Sequence, residues 1–175
     1  MIALRGFQVM SSIIAQPTLF NSPLETGIRS LAILVAAFPT AFDLQRLVEM
    51  DYLVVHSGDA DGPNSLHAPL PLRAGELLVR RGLIENGLLL MISRGLIQRI
   101  PNNDGFNYIA GEAASPFLTS LTAEYSRQLM DRAHWAVNRF ENVSTEDVRQ
   151  MTHRLFDKWS SQFQPIPSSA ERTND

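Results

Sequence analysis

The sequence predicts a mainly helical protein with one small β-hairpin. Apolar residues recur at helical spacing along most of the chain. The exception is a pair of short strand-like segments at 96–100 and 106–111. The turn Pro101-Asn102-Asn103-Asp104-Gly105 joins them, and its residue types favour a tight reversal between two antiparallel strands.

The order of elements around this hairpin indicates a more specific fold. An apolar helical run over 77–92 precedes it, and Ser115-Pro116 opens another helix after it. Helix, strand, turn, strand and helix follow one another in a winged helix. We therefore predict a winged-helix core whose wing lies at about residues 96–110, with additional N- and C-terminal helices.

Two helices are predicted before this core. Ser22-Pro23-Leu24-Glu25 has the pattern of a capping box with proline at the first helical position. A single apolar stripe follows and ends at Pro39, as expected for a helix that packs along a seam within this chain or with a partner: Leu24, Ile28, Leu31, Val35, Phe38. A second helix is predicted from an Asp43 N-cap to about His56, and the segment 57–72 is predicted to be a loop.

The remaining helices are less regular. The run over 74–94 is apolar on nearly every side, which predicts a central buried helix, or two helices broken at Asn86-Gly87 or Gly82. Residues 116–140 are predicted to form one long helix, and Ser144 is predicted to cap a last one. The predicted organisation is an arm over residues 1–18, a single domain over 19–163 and a disordered tail over 164–175.

Composition excludes several classes of function. The chain has no cysteine, which excludes disulfides, cysteine-ligated zinc and a cysteine nucleophile. Lys158 is the only lysine and lies in no P-loop pattern. The net charge is −3, and no apolar run is long enough to span a membrane. We expect a cytoplasmic protein that is not an enzyme and has no cofactor.

One loop carries candidate metal ligands. His56, Asp59, Asp61 and His67 fall within twelve positions, and imidazole and carboxylate groups can bind a divalent cation. The spacing matches no metal motif, and aspartates beside glycines commonly stabilise turns. The turn interpretation is favoured over the metal interpretation.

Five arginines near the predicted recognition helix are candidate contacts to DNA or to a partner: Arg73, Arg80, Arg81, Arg94 and Arg99. Only two glutamates accompany them over residues 73–99, so this segment is locally positive. Such an arc suits phosphate contacts. The alternative, slightly favoured, is that these arginines pair with acidic groups of the chain or of a partner.

Aromatic residues near the C-terminus are candidate anchors for a partner. Trp159 and Phe163 follow Trp135 and Phe156, and such residues pack in the core unless the last helix leaves them exposed. If that helix does not fold back onto the core, Trp159 and Phe163 form a docking face.

Several segments, taken in order over residues 19–163, resemble the middle component of bacterial ABC three-component systems, a group that includes the small subunit of Lamassu-type anti-phage complexes. The matching stretches are 19–25, 43–48, 51–59, 65–67, 75–81 and 93–96, together with the aromatic pattern around Trp159. Ala68 and Gly82 stand where proline and a charged helix former would be expected.

The resemblance implies a non-catalytic subunit that ties a separate effector, often a nuclease, to an SMC- or Rad50-like ATPase with a coiled coil. It implies that the subunit helps to restrain the effector until foreign DNA is sensed. The main alternative is a free-standing winged-helix transcription regulator, which would use an isologous dimer and a solvent-facing recognition helix. The apolar run over 77–92 counts against that alternative.

Overall fold

The computed structural model describes residues 22–68 and 75–162. The predicted arm over 1–18 and the predicted tail over 164–175 lie outside the described residues. The described part is mainly helical with one small antiparallel sheet, as predicted. A 3-10 turn at Ser57–Ala60 lies between the second and third helices. The helices and strands, in chain order, are α1 (Pro23–Ala37), β1 (Phe42–Asp43), α2 (Leu44–Val55), α3 (Gly75–Ser93), β2 (Ile97–Asn102), β3 (Gly105–Ala110), α4 (Ala114–Ser120), α5 (Glu124–Phe140) and α6 (Thr145–Gln162).

The predicted hairpin is confirmed. Strands β2 and β3 pair antiparallel from Ile97 opposite Ala110 to Asn102 opposite Gly105. Gly105 closes the turn with a φ of 136°, a conformation that side-chain-bearing residues rarely adopt. The two-residue strand β1 pairs with β3, which gives the sheet order β1-β3-β2. Sequence periodicity could not reveal β1 because two residues establish no alternation.

The predicted starts of α1 and α2 are also confirmed. The Glu25 amide donates to Ser22 Oγ at 3.2 Å, and the Ser22 amide donates to the Glu25 carboxylate at 3.1 Å. This reciprocal pair is the capping box. At the start of α2, the Arg46 amide donates to Asp43 Oδ1 at 2.6 Å. Helix α1 ends at Ala37, two residues before Pro39, which cannot continue it.

Helix α1, not α3, is the central helix of the described fold. It packs against α3 and α5, and nine of its residues are buried. The predicted stripe is buried at Leu31 but not at its two ends, where Leu24 is 53% and Phe38 is 62% exposed. Because helices cover α1 on more than one side, its buried surface is broader than one stripe and includes small residues such as Gly27 and Ala32.

Helix α3 is one continuous helix, which answers the question left open by the sequence. The prediction that this helix is buried on all sides is wrong, since Val79 is 62% and Leu89 is 58% exposed. Gly87 continues the helix because it lies where α3 crosses α1 closely. A Cβ at Gly87 would lie 2.5 Å from the Gly27 nitrogen, too close for any side chain.

The single helix predicted over 116–140 is in fact two helices, α4 and α5, separated at Leu121–Ala123. Hydroxyl groups at the end of α4 hydrogen-bond to its own carbonyls: Thr119 Oγ1 donates to Ser115 O and Ser120 Oγ to Phe117 O. Such local bonds compete with helix continuation.

Helix α6 begins as predicted, with the Asp147 amide donating to Ser144 Oγ at 3.1 Å. Its inner face joins α2 through the hydroxyl of Thr152, which donates to the buried carboxylate of Glu49. Arg46, also buried, donates to the carbonyls of Phe140 and Val143 and so satisfies backbone groups at the end of α5. In the described ranges, no helix is both long and apolar enough to cross a bilayer.

Candidate functional site: a buried charge cluster and the outer face of helix α3

A buried ion triad joins α1, α2 and α3. Asp51, in the third turn of α2, has a fully buried side chain. Its Oδ1 accepts from Arg29 Nε of α1 at 2.6 Å, and its Oδ2 accepts from Arg80 Nη1 of α3, also at 2.6 Å. Both carboxylate oxygens therefore hold a guanidinium group, and one side chain ties three helices together.

The electrostatics of the triad favour its charged form. Burial alone would raise the pKa of Asp51, but the positive charges of Arg29 and Arg80 outweigh it and leave that pKa below its ordinary value. Burial would likewise lower the pKa of Arg29, but Asp51 reverses the effect and the pKa is raised. The two arginines and the carboxylate thus depend on one another for stability in the interior.

Aromatic and imidazole groups extend the triad towards the loop after α2. Tyr52 Oη donates to Asp59 Oδ2 at 2.7 Å, and the Tyr52 ring lies 4.9 Å from the ring of His56. His67 approaches His56 edge-on at 6.2 Å, and its Nε2 lies 2.9 Å from Tyr125 Oη at the start of α5. We call these eight residues the charge cluster: Arg29, Asp51, Tyr52, His56, Asp59, His67, Arg80 and Tyr125.

Both histidines of the charge cluster favour the neutral form. Burial, assisted by the charge of Arg80 and by His67, lowers the pKa of His56 to about 4. Burial and the nearby Arg29 also lower the pKa of His67. Burial and the hydrogen bond to Asp59 raise the pKa of Tyr52. At neutral pH the imidazoles of His56 and His67 and the phenol of Tyr52 are therefore uncharged beside the ion pair of Arg29 and Asp51.

The geometry of the charge cluster suits coupling between elements better than reaction with a substrate. Asp51 has no exposed surface. The buried hydroxyl of Ser57 donates to the carbonyl of Pro63 at 2.8 Å, which occupies it within the loop. Across residues 22–68 and 75–162, every buried side-chain nitrogen and oxygen has a hydrogen-bond partner. The charge cluster thus connects α1, α2, α3, α5 and the loop after α2.

The candidate metal ligands are brought only partly together. His56, His67 and Asp59 belong to the charge cluster, with Asp59 bound to Tyr52. Asp61 ends the 3-10 turn in a left-handed conformation with φ 57°, a role that aspartate accepts readily in turns. No group of three histidine, aspartate or glutamate side chains in the described part of the chain could hold a metal ion.

The outer face of α3 differs sharply from its inner face. Residues at alternating spacings of three and four turn towards solvent along four turns of the helix: Val79, Gly82, Asn86, Leu89 and Ser93. We call these five residues the outer face of α3. Among the described residues, no atom lies within 4 Å of the position that a Cβ of Gly82 would occupy. This face therefore presents two exposed apolar side chains on either side of a notch at Gly82.

A family comparison identifies the type of protein. The model of the family "ABC-three component (ABC-3C) system Middle Component 2" matches residues 19–162. The chain belongs to this family. No curated protein and no solved structure matches it.

The stretches that carried the resemblance meet in this middle component at the charge cluster. The stretch 51–59 contributes four of its residues, and His67 and Arg80 come from two further stretches. Segments that are separate along the sequence therefore converge on one buried site.

Two members of the charge cluster had no individual signal in the sequence. Arg29 lies in the apolar α1, and Tyr125 lies at the start of α5, where it is 38% exposed. A usable signal existed for Asp51, because a carboxylate inside the apolar run of α2 requires a cationic partner. The identity of that partner depends on how helices from distant parts of the chain pack.

The five candidate arginines occupy different environments in this middle component. Arg80 is 14% exposed and pairs with Asp51, whereas Arg81 is 43% exposed and lies 3.7 Å from Glu85. Arg94 is exposed just after α3. Arg99 is exposed on the hairpin, 4.2 Å above the ring of Phe106. Arg73 lies outside the described residues. Contact of any of these arginines with DNA or a partner stays a prediction.

The C-terminal candidates are described only in part. Trp159 lies on α6, and nothing of its side chain is described. Phe163 lies outside the described residues. Trp135, on α5, packs against the core, as predicted. Its ring also covers Gly62 so closely that a Cβ there would lie 2.2 Å from a ring carbon.

Proposed function

We propose that this chain is the non-catalytic middle subunit of an anti-phage complex of the Lamassu type. In this proposal it ties a coiled-coil SMC- or Rad50-like ATPase to a separate effector, expected to be a nuclease. It restrains the effector in the cytoplasm until foreign DNA is sensed. The observation that carries the proposal is the match of the middle-component family over residues 19–162.

The described fold suits a subunit that holds others in place. The fully buried carboxylate of Asp51 fixes α1, α2 and α3 relative to one another, and the contact of Tyr125 with His67 attaches α5 to the loop after α2. Among the described residues, large apolar side chains are exposed on α3, on the hairpin, at the ends of α1 and at the start of α5. A rigid body with separate exposed apolar positions can contact two partners at once.

A winged-helix core is part of the same proposal. The order α1, β1, α2, α3, β2, β3, with β1 paired to β3, supports it. In a DNA-reading winged helix the recognition helix presents cationic and amide side chains to the groove. The outer face of α3 carries no cation and a single amide, Asn86, beside valine, glycine, leucine and serine, which favours a protein partner at this helix.

The decisive experiment is co-expression of the tagged chain with the products of its two neighbouring genes. We expect a ternary complex with an ATPase and an effector, and loss of the link between those two proteins when this chain is omitted. Effector activity in the complex should rise on addition of ATP and DNA. A lone homodimer that binds a palindromic operator and ignores the neighbouring proteins would contradict the proposal.

The absence of catalysis in the chain itself has a separate test. The purified chain should hydrolyse neither nucleotide nor nucleic acid with magnesium present. Activity abolished by Asp59→Ala or Asp61→Ala would show that the loop after α2 is a catalytic site.

Trp159 and Phe163 are proposed anchors for a partner. Trp159→Ala should weaken assembly by about tenfold or more if the indole fills a pocket in the partner, because truncation of such aromatics removes much of the binding energy. A lower melting temperature of the isolated chain, with unchanged assembly, would assign Trp159 to the core.

The alternative function, a DNA-binding regulator, is favoured by one feature, the exposed Arg94 and Arg99 beside the hairpin. Fluorescence anisotropy with labelled duplex DNA tests it. Binding that falls steeply with salt and is lost in the Arg94→Ala, Arg99→Ala double variant would support DNA contact at the hairpin.

A further inference from the structure

We infer that the outer face of α3 docks an α-helix of a partner subunit, and that the partner inserts a large apolar side chain over Gly82. This inference rests on the proposed function, because it names the kind of partner segment that the middle subunit would bind. The observations behind it are spacing, exposure, open space and charge.

The spacing of the outer face is that of a helix-packing seam. When two helices pack closely, each side chain of one enters a hole formed by four residues of the other, at positions i, i+3, i+4 and i+7. Helix α3 offers one such hole lined by Val79, Gly82, Leu83 and Asn86. A second begins at Asn86 and is lined by Leu89, Leu90 and Ser93, so the two holes lie one heptad, or about 10 Å, apart.

The exposure pattern leaves these holes open. Val79 is 62% and Leu89 is 58% exposed, whereas Leu83 and Leu90 are half-buried and form the side nearer to the core. No described atom lies within 4 Å of a Cβ placed at Gly82, so the first hole has no filling from the described part of the chain. Large exposed apolar groups beside an open notch mark a binding surface.

Charge selects a protein helix over a nucleic acid. The outer face contains no ionisable side chain, and the rim beside it carries Arg81 and Glu85, whose charges cancel. A phosphate backbone would require several cations along this surface. A neutral apolar seam with one cation and one anion at its rim matches an amphipathic helix, and Asn86 between the holes would fix its register.

The first test adds a side chain to the notch in the co-expressed complex. Gly82→Leu should lower the affinity for the neighbouring proteins by at least about tenfold without lowering the melting temperature of the isolated chain. Asn138→Leu is the matched control, because it adds the same side chain at an exposed position of α5 and should change neither quantity.

Two outcomes of this test would overturn the inference. Unchanged assembly of Gly82→Leu would show that no partner enters the notch. A lower melting temperature would show that the chain itself covers this surface. If the unmodified chain does not bind the neighbouring proteins at all, the proposed function fails, which is a different result from assembly that ignores Gly82→Leu.

The second test locates the partner segment directly. Because the chain has no cysteine, Glu85→Cys places a single thiol at the rim of the outer face, where a benzophenone maleimide can be attached. We expect a crosslink to a helical peptide of a neighbouring protein that carries two large apolar residues seven positions apart. Asn138→Cys is the control. A crosslink to a second copy of this chain, to its own residues 1–21 or to DNA would overturn the inference.

Discussion

The inner and outer faces of helix α3 each carry residues of the type usually found on the other face. The inner face buries Ile84, Leu88 and Met91, but it also places Arg80 against a fully buried carboxylate. Every buried side-chain nitrogen and oxygen among the described residues has a hydrogen-bond partner. The outer face exposes Val79 and Leu89. Burial of apolar surface is favourable and burial of charge is unfavourable, so a buried arginine and two exposed apolar side chains on one helix each need a reason. Arg80 fixes the helix within the chain through Asp51, and the outer face is the surface proposed above to bind a partner.

The two glycines of α3 show the same contrast. A Cβ at Gly87 would lie 2.5 Å from the backbone of α1, whereas a Cβ at Gly82 would meet no described atom within 4 Å. Glycine destabilises a helix interior relative to alanine, so each needs a reason to be there. At Gly87 the reason is the close crossing with α1. At Gly82 the described residues offer none, which is consistent with the partner proposed above.

The largest expected effect comes from breaking the ion triad. Asp51→Asn leaves two buried guanidinium groups without their counter-charge and should lower the free energy of unfolding by about 3–5 kcal/mol. Urea unfolding followed by circular dichroism measures this loss. Asp104→Asn is the matched control, since Asp104 is exposed in the hairpin turn. A loss below about 1 kcal/mol for Asp51→Asn would mean that the triad does not hold the inner face of α3.

The second prediction concerns pH and the same face. His56 has a pKa of about 4 in the folded chain against 6.5 for an unperturbed histidine. Between these values the unfolded chain binds a proton that the folded chain does not, so stability falls as pH decreases. From pH 7 to 5 the loss due to His56 should be about 2 kcal/mol. The lowered pKa of Asp51 acts in the same direction at more acidic pH.

Urea unfolding of His56→Gln at pH 7, 6 and 5 measures this contribution. The variant should lose most of the pH dependence, and the remainder should come from His67, whose pKa is lowered in the same direction. His134→Gln, at an exposed position on α5, is the control and should keep the slope of the unmodified chain. Equal slopes for His56→Gln and the unmodified chain would show that His56 is solvated.

Much of the fold could be predicted because its signals are local. The capping box at Ser22, the Asp43 and Ser144 caps and the hairpin turn each depend on residues within four or five positions of one another. The break between α4 and α5 was missed although it is also local. There the apolar spacing continues through the break, while hydroxyl groups of Thr119 and Ser120 turn back to carbonyls of α4.

The site was harder to predict because it depends on long-range packing. Apolar composition indicates that α1 and α3 contribute to a core, but not which of them is covered on more sides. The sequence predicts that α3 is the helix covered on most sides, but in the structure that helix is α1. The pairing of Asp51 with Arg29 and Arg80 likewise joins residues 22 and 29 positions apart, and no local pattern specifies it.

The third prediction tests the close crossing on the inner face. Gly87→Ala forces a methyl group against the Gly27 backbone and the Thr26 hydroxyl, so α1 and α3 must move apart. The free energy of unfolding should fall by about 1–3 kcal/mol, the usual cost of overpacking. Thermal melts measure the change. An unchanged melting temperature would mean that the two helices cross at a greater distance.

The smallest expected effect is the most informative about the outer face. Gly82→Ala places the same methyl group on the same helix five positions earlier, into open space. Alanine is a better helix former than glycine, so the free energy of unfolding should rise by about 0.5–1 kcal/mol in the isolated chain. Thermal melts of the Gly87→Ala and Gly82→Ala variants, run side by side, should therefore shift in opposite directions.

A loss of stability in Gly82→Ala would place other parts of the chain over the notch. A gain in the isolated chain, combined with weaker assembly with the neighbouring proteins, would mean that glycine at this position serves binding at the expense of stability.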